Sequence, residues 1–176
     1  MTGSFSVPVL ETERLVMRGW RDEDYEPWAE ICADDEVMRS LGRQGGIGAA
    51  DAWREMAYFA GHWALKGFGH WVLEERSSGQ LVGRAGLLRP PEWPDLEVGW
   101  TIARSRWGEG LAGEAGRAAV DWAQQVLGAR HIISLIAPDN GRSMRVAEKL
   151  GLTEEGATEL RGFSLRIYGS DLPLSA

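Results

Sequence analysis

Apolar and polar positions alternate from Glu13 to Trp20 (ERLVMRGW), with Leu15 and Met17 on one side and Arg14, Val16 and Arg18 on the other. That is the period of a half-buried strand. Two helices are expected next. In the first, Asp24 can cap the start, Pro27 is tolerated only near it, and Tyr25, Trp28, Ile31 and Cys32 recur on one face. The second runs from about Ala49 to Lys66, with Trp53, Met56, Ala57, Ala60 and Ala64 inward, and stops at Gly67. The glycine-rich stretch Gly42 to Gly48 between them is expected to be mobile.

From Gly69 the period changes: HWVLEER, a turn at Ser77-Ser78-Gly79-Gln80, then LVGRAGLL predict a β-hairpin. Leu96 to Ala103 is a further strand beyond the breaker Arg89-Pro90-Pro91-Glu92-Trp93-Pro94. Ala112 to Leu127 keeps helical spacing (Ala112, Ala115, Ala119, Trp122, Ala123, Val126) and closes at Gly128. His131 to Ala137 is short and apolar, as a buried strand should be. Asn140 to Leu150 predicts a helix stopped by Gly151, and Thr153 to Leu160 and Phe163 to Gly169 predict two last strands. The order β-α-α-β-β-β-α-β-α-β-β describes an α+β sheet protein with helices on both faces.

Composition narrows the function classes. The 176 residues, 44% hydrophobic and 26% charged, suit one globular domain spanning 1–176, with no repeat or low-complexity tract. The 26 acidic against 19 basic residues leave a formal charge of -7, the wrong sign for a nucleic-acid surface. No apolar run is long enough for a membrane span, and Met1 to Val9 has neither a basic start nor an apolar core, so a cytoplasmic protein is expected. The single cysteine, Cys32, lies among Trp28, Ile31 and Val37 and is read as a packing residue. His62, His70 and His131 lack the paired spacings of metal ligands and are read as structural or surface residues, so no metal is expected.

The stretch Arg106-Trp107-Gly108-Glu109-Gly110-Leu111-Ala112-Gly113-Glu114-Ala115 joins a strand to a long helix. Its glycines clear side chains where a ligand would approach the first-turn N–H groups, an arrangement that binds phosphate oxygens. It lacks the Gly-Lys-Ser/Thr ending of a P-loop and the following acidic strand of a dinucleotide fold.

With the rest of the chain the reading becomes specific. Leu10-Glu11-Thr12-Glu13-Arg14-Leu15, Asp35-Glu36-Val37-Met38 with Leu41-Gly42, Gly83, Trp107 to Ala112, and Asn140-Gly141-Arg142-Ser143 leading to Lys149-Leu150-Gly151-Leu152 resemble the GCN5-related N-acetyltransferase (GNAT) superfamily. Within it they resemble the RimJ/RimL branch of ribosomal-protein N-terminal acetyltransferases. Trp107 stands where that superfamily often has Arg or Gln, so loop contacts to a cofactor should be mostly main-chain.

The resemblance implies a mixed, mostly antiparallel sheet of six or seven strands, with acetyl-CoA lying between two splayed central parallel strands. Trp100, Thr101 and Ile102 would pair with its pantetheine, and Trp107, Gly108, Glu109, Gly110, Leu111, Ala112 and Gly113 would hold its pyrophosphate. Asn140 would contact pantetheine or cap its own helix, and Arg104, Arg106, Arg142 and Arg145 lie near the phosphates. Acyl transfer from a thioester needs a neutral amine and a proton for the departing thiolate. The resemblance offers Glu97 or Glu159 as base and Ser143 as proton donor, with Tyr168 in reserve; Trp93 is a candidate wall for the acceptor. The acceptor would be a small-molecule or peptide amine, and the acidic surface favours a cationic one. A non-catalytic acyl-CoA-binding or regulatory module is the alternative, and a homodimer is compatible with either.

Overall fold

In a computed structural model, residues 6–174 are described; Met1 to Phe5, part of the N-terminal stretch read above, lie outside them. The strands are β1 (Leu10–Glu11), β2 (Leu15–Arg18), β3 (His70–Glu75), β4 (Leu81–Leu88), β5 (Glu97–Ile102), β6 (His131–Ile136), β7 (Thr153–Leu160) and β8 (Phe163–Asp171). The helices are α1 (Tyr25–Ala33), α2 (Asp35–Ser40), α3 (Ala49–Lys66), α4 (Leu111–Leu127) and α5 (Gly141–Leu150).

All eight strands form one sheet in the order β1-β2-β3-β4-β5-β6-β8-β7, antiparallel except for the parallel β5–β6 pair. The strand beyond the expected seven is β1, two residues pairing Leu10 with Met17 and Glu11 with Val16, too short to leave a period in the sequence. A third early helix also appears. The Asp34 carboxylate caps α2 by accepting from the N–H groups of Glu36 and Val37, which breaks the expected first helix from the next segment. Asp24 is not a side-chain cap for α1; it is buried and takes both Arg18 Nη1 (2.9 Å) and Nη2 (2.8 Å). Arg18 also donates to Glu74 at 2.7 Å, so this charge cluster fixes the start of α1 against β2 and β3.

The face of α3 differs from expectation. Ala52, Met56, Phe59, His62 and Trp63 are buried, whereas Trp53 is 50% exposed and Ala57 and Ala64 face solvent. Turning Phe59 and Trp63 inward buries far more apolar area than three alanines could. Phe59 stacks on Trp20 and on His70, and Trp63 meets Trp71 and Trp122 edge to face. Two apolar layers result. One, with Leu15, Met17, Trp71, Leu87, Val120 and Ile132, lies under α4 and α5; the other, with Trp28, Cys32, Met38, Met56 and Phe59, lies under α1 to α3. The stretch Gly42 to Gly48 is tied to the latter, because Ile47 N–H donates to Cys32 O (2.8 Å) and Gly46 N–H to Asp35 (2.9 Å).

Candidate active site

β5 and β6 share one paired position, Glu97 opposite Ile133, and Ile133 N–H donates to Leu96 O at 2.9 Å. Past that point no β5–β6 pairing continues among the described residues, and a cleft opens beside Trp100, Thr101 and Ile102. Two cavities occupy it. A loop-side cavity of about 290 Å³ is lined by Trp100, Thr101, Ile102, Trp107, Gly108, Gly110, Leu111, Ala112, Asn140 and Ser143, together with the α5 face. A sheet-side cavity of about 450 Å³ contains Glu97 and Trp93. Ser40, Trp100, Asn140 and Ser143 line both, so these four mark where the cavities meet.

The loop before α4 has left-handed backbone at Gly108 (φ 85°) and Gly110 (φ 83°), a conformation in which a Cβ would be strained. Gly110 has no side chain to cap α4, so the first-turn N–H groups of Leu111, Ala112 and Gly113 take no side-chain cap. Thr101 Oγ1, buried beside the same cavity, also has no partner among the described residues. Uncapped N–H groups, an orphaned hydroxyl and a free strand edge fit a phosphopantetheine ligand, whose amides and phosphates would supply their partners.

Arg14 holds this loop from behind. Its Nη1 donates to Glu109 O at 2.7 Å, and its Nε and main-chain N–H donate to Glu114 at 2.7 and 2.8 Å. Thr12 donates to the same carboxylate. Burial would raise the Glu114 carboxyl, but the Thr12 and Arg14 hydrogen bonds outweigh it and keep the group below its ordinary value. Glu109 and Gly113 are not among the residues lining the cavity, and the Glu109 carboxylate is taken by Arg106, which also binds Glu75. Arg104 pairs with Glu36 at 3.1 Å. The cations that face the cavity and make no ion pair among the described residues are Arg142, Arg145 and Lys149, one stripe of α5. Arg142 lies 4.4 Å from the Trp107 ring centroid. In the sequence Lys149 stands out only within the Lys149 to Leu152 motif, although its seven-residue spacing from Arg142 puts both on one helix face.

Ser143 sits at the junction. Its Oγ accepts from Asn140 Nδ2 (2.9 Å) and Trp100 Nε1 (3.3 Å), so with both lone pairs engaged its proton is left to point elsewhere. Asn140 is the α5 N-cap, accepting from Ser143 N–H at 3.0 Å, and it donates to Ser40 O at 2.6 Å. It therefore orients Ser143 and ties α5 to the end of α2.

Glu97 is 9% exposed, at the start of β5, and accepts from Trp93 Nε1. Burial pushes its carboxyl up to about 7, against the opposing hydrogen bonds of Trp93 and the Leu135 backbone. Glu159 is exposed on β7, accepts from Ser164 at 3.5 Å, and lines neither cavity; Tyr168 is buried in the core on β8 and lines neither. Cys32 is fully buried, and loss of water raises its thiol to about 12, with Glu55 adding to the effect.

The sequence alone assigns no site role to five titratable residues of the sheet-side cavity: Arg43, Glu55, His70, Arg84 and Arg161. Arg43 and Glu55 pair with each other. His70 and Arg84 are diagonal neighbours on one face of the β3–β4 pair, since His70 sits opposite Gly86. Gly86 is opposite Gly99 in turn, and this side-chain-free row gives the imidazole room. A Cβ built at Gly99 would lie 3.4 Å from His70 Cε1 and 3.7 Å from Glu97 Oε1. Strand alternation marks His70 and Arg84 only as inward-facing, and no local signal separates a cavity floor from a packed core.

The acetyltransferase (GNAT) domain family matches residues 14–153. The uncharacterized N-acetyltransferase YoaA of Bacillus subtilis (strain 168) is 29% identical over 150 residues, 85% of each chain. An acetyltransferase structure from Agrobacterium tumefaciens str. C58 superposes with a TM-score of 0.83 at 28% identity, covering 94% of this chain and 95% of that one. The ribosomal-protein-S5-alanine acetyltransferase from Vibrio fischeri shares the fold, with a TM-score of 0.74 at 14% identity over 97% of this chain and all (100%) of that one. With the splayed strands, the glycine loop and the family match over most of its length, the chain belongs to the GNAT acetyltransferase family.

Proposed function

We propose that this enzyme moves an acetyl group from acetyl-CoA to a primary amine of a small molecule or peptide, by direct attack, within a single domain spanning 1–176. The observation that carries this reading is the junction where Ser40, Trp100, Asn140 and Ser143 line both cavities. Acetyl-CoA supplies a thioester whose acyl group leaves thiolate behind. Residues suited to hold it are the β5 edge at Trp100 to Ile102, the N–H groups from Trp107 to Gly113, and the α5 cations Arg142, Arg145 and Lys149.

The amine enters by the sheet-side cavity. Glu97, raised to about 7, takes up a proton from it, directly or through one water, while still ionising near neutral pH. Ser143 Oγ has its proton free for the departing sulfur, because Asn140 and Trp100 occupy its lone pairs. Glu159 remains the rival base, separable by its pH profile. Cys32, buried and held protonated, gives no support to a covalent acetyl-enzyme route. The likeness to the ribosomal-protein acetyltransferase supports the fold alone, and the RimJ/RimL kinship rests on the sequence motifs. The test is CoA thiol release from acetyl-CoA with a panel of small amines and peptide N-termini. Amine-dependent release that falls in Glu97→Gln and Ser143→Ala is expected; release no faster than hydrolysis with every amine overturns the reading.

A further inference from the structure

The floor of the sheet-side cavity carries a buried cation with no direct ion-pair partner among the described residues. Arg84 is 9% exposed and makes no ion pair among the described residues, and its Nε is buried without a hydrogen-bond partner. The guanidinium lies 4.5 Å from the Phe59 ring centroid and 5.6 Å from that of Trp28, contacts that orient it without neutralising it. Its Nη1 donates to His70 Nδ1 at 2.7 Å. Arginine has no acceptor, so Nδ1 is the unprotonated nitrogen and Nε2 carries the hydrogen of the neutral ring. That Nε2 is also buried and unpartnered, in a ring 1% exposed. Two orphaned N–H donors and one unpaired charge thus adjoin a cavity that also holds Glu97.

A buried guanidinium without a carboxylate is costly. Glu55, the other acid of the cavity beside Glu97, is engaged by Arg43, and Glu97 by Trp93. Arg161, over the Trp93 ring at 5.4 Å, adds a further cation to the lining. The local field is therefore positive inside a chain whose net charge is -7.

We propose that the acceptor is an amine that also bears a carboxylate, and that Arg84 and His70 form the subsite for that carboxylate while the amine lies towards Glu97 and Ser143. This rests on the acetyltransferase reading above and sharpens its acceptor. It reverses the expectation of a cationic acceptor drawn from overall charge, because a group in a cavity responds to the charges lining it more than to screened surface charge.

The test compares each amino acid with the amine left on removing its carboxylate: glycine with methylamine, β-alanine with ethylamine, γ-aminobutyrate with propylamine, and L-phenylalanine with phenethylamine. In at least one pair the carboxylate-bearing member is expected to show kcat/KM at least about tenfold higher. Arg84→Met is expected to lower that value at least about thirtyfold, the scale for losing one partner of a buried charge pair, and to lower the value for the simple amine by less, so that the preference within the pair shrinks. Circular dichroism checks the fold. Should Arg84→Met not fold, Arg84→Lys and His70→Gln carry the comparison, each expected to erode the preference. Simple amines serving as well in every pair, or a preference that survives in the folded variants, overturns the proposal while the acetyltransferase reading stands. If no amine is acetylated, that reading falls. Calorimetry with N-acetylglycine and N-acetyl-L-phenylalanine then decides the subsite: binding to the wild type and not to the variant upholds it, and no binding overturns it.

Discussion

Burial at the base of the cleft sets the Glu97 carboxyl at about 7, against an ordinary 4.5. Between those two values the folded protein binds the proton more tightly than the unfolded chain does. Stability therefore falls as pH rises through that window, and the full cost of about 3 kcal/mol is present above it. Glu97→Gln should raise the melting temperature over wild type at about pH 8 and lose that advantage below about pH 4.5. In the proposed mechanism it should also remove the acidic limb of kcat/KM near neutral pH; survival of the limb, with loss in Glu159→Gln, would move the base to β7. Ser143→Ala should lower kcat by about ten- to a thousandfold with little change in CoA affinity, measured by steady-state kinetics and calorimetry. Sequence spacing alone brought out Asn140 to Ser143 as a loop-to-helix start, and family resemblance made Ser143 and Glu97 candidates. The shared lone-pair arrangement and the burial that tune them arise from Trp100, Trp93 and Leu135, which only folding brings near.

The glycine loop and its brace are the element on which cofactor binding should turn. Gly110→Ala places a Cβ at φ 83°, a strain of about 1 kcal/mol or more in left-handed backbone, and should weaken CoA binding with little effect on the core. Arg14→Ala, distant in sequence, should do the same more mildly, because Glu109 O and the Glu114 carboxylate lose their common donor. Calorimetric CoA affinities unchanged in both variants would separate the loop from the cofactor. The loop was legible because Gly108 and Gly110 just before an amphipathic helix, with Gly113 in its first turn, leave a strong local signal. The role of Thr12 and Arg14 was not, since about 100 residues separate them from Glu114 and only the pairing of β1 and β2 beside α4 closes that gap. Helix α3 shows the same limit differently. Its boundaries follow from propensity and Gly67, but its inner face was decided by the aromatic partners Trp20, His70 and Trp71.

Across the whole molecule, His131 joins the approach to β5 with β6 and β7, its Nδ1 at 3.2 Å from Asp95 and its Nε2 at 3.0 Å from Glu155. Burial alone would lower its pKa, but the hydrogen bonds to Glu155 and Asp95 outweigh it and raise the value above 6.5. The stability it contributes is therefore fully present below about pH 6.5 and is lost as pH rises through the raised value. Thermal unfolding should show His131→Asn less stable than wild type at about pH 5.5, with the difference shrinking by about pH 8.5; a constant difference would assign His131 a purely packing role.

The amino-acid sequence by itself determined the order of the main strands and helices, the stops at Gly67, Gly128 and Gly151, the glycine loop before α4 and the family, because each is written in short-range period, backbone preference or contiguous motif. Tertiary structure alone decided the insertion of β8 between β6 and β7 and the meeting of Arg84, His70 and Glu97 in one cavity. Those depend on which strand edges pair and which side chains are deprived of water, and both are set by residues far apart in the chain.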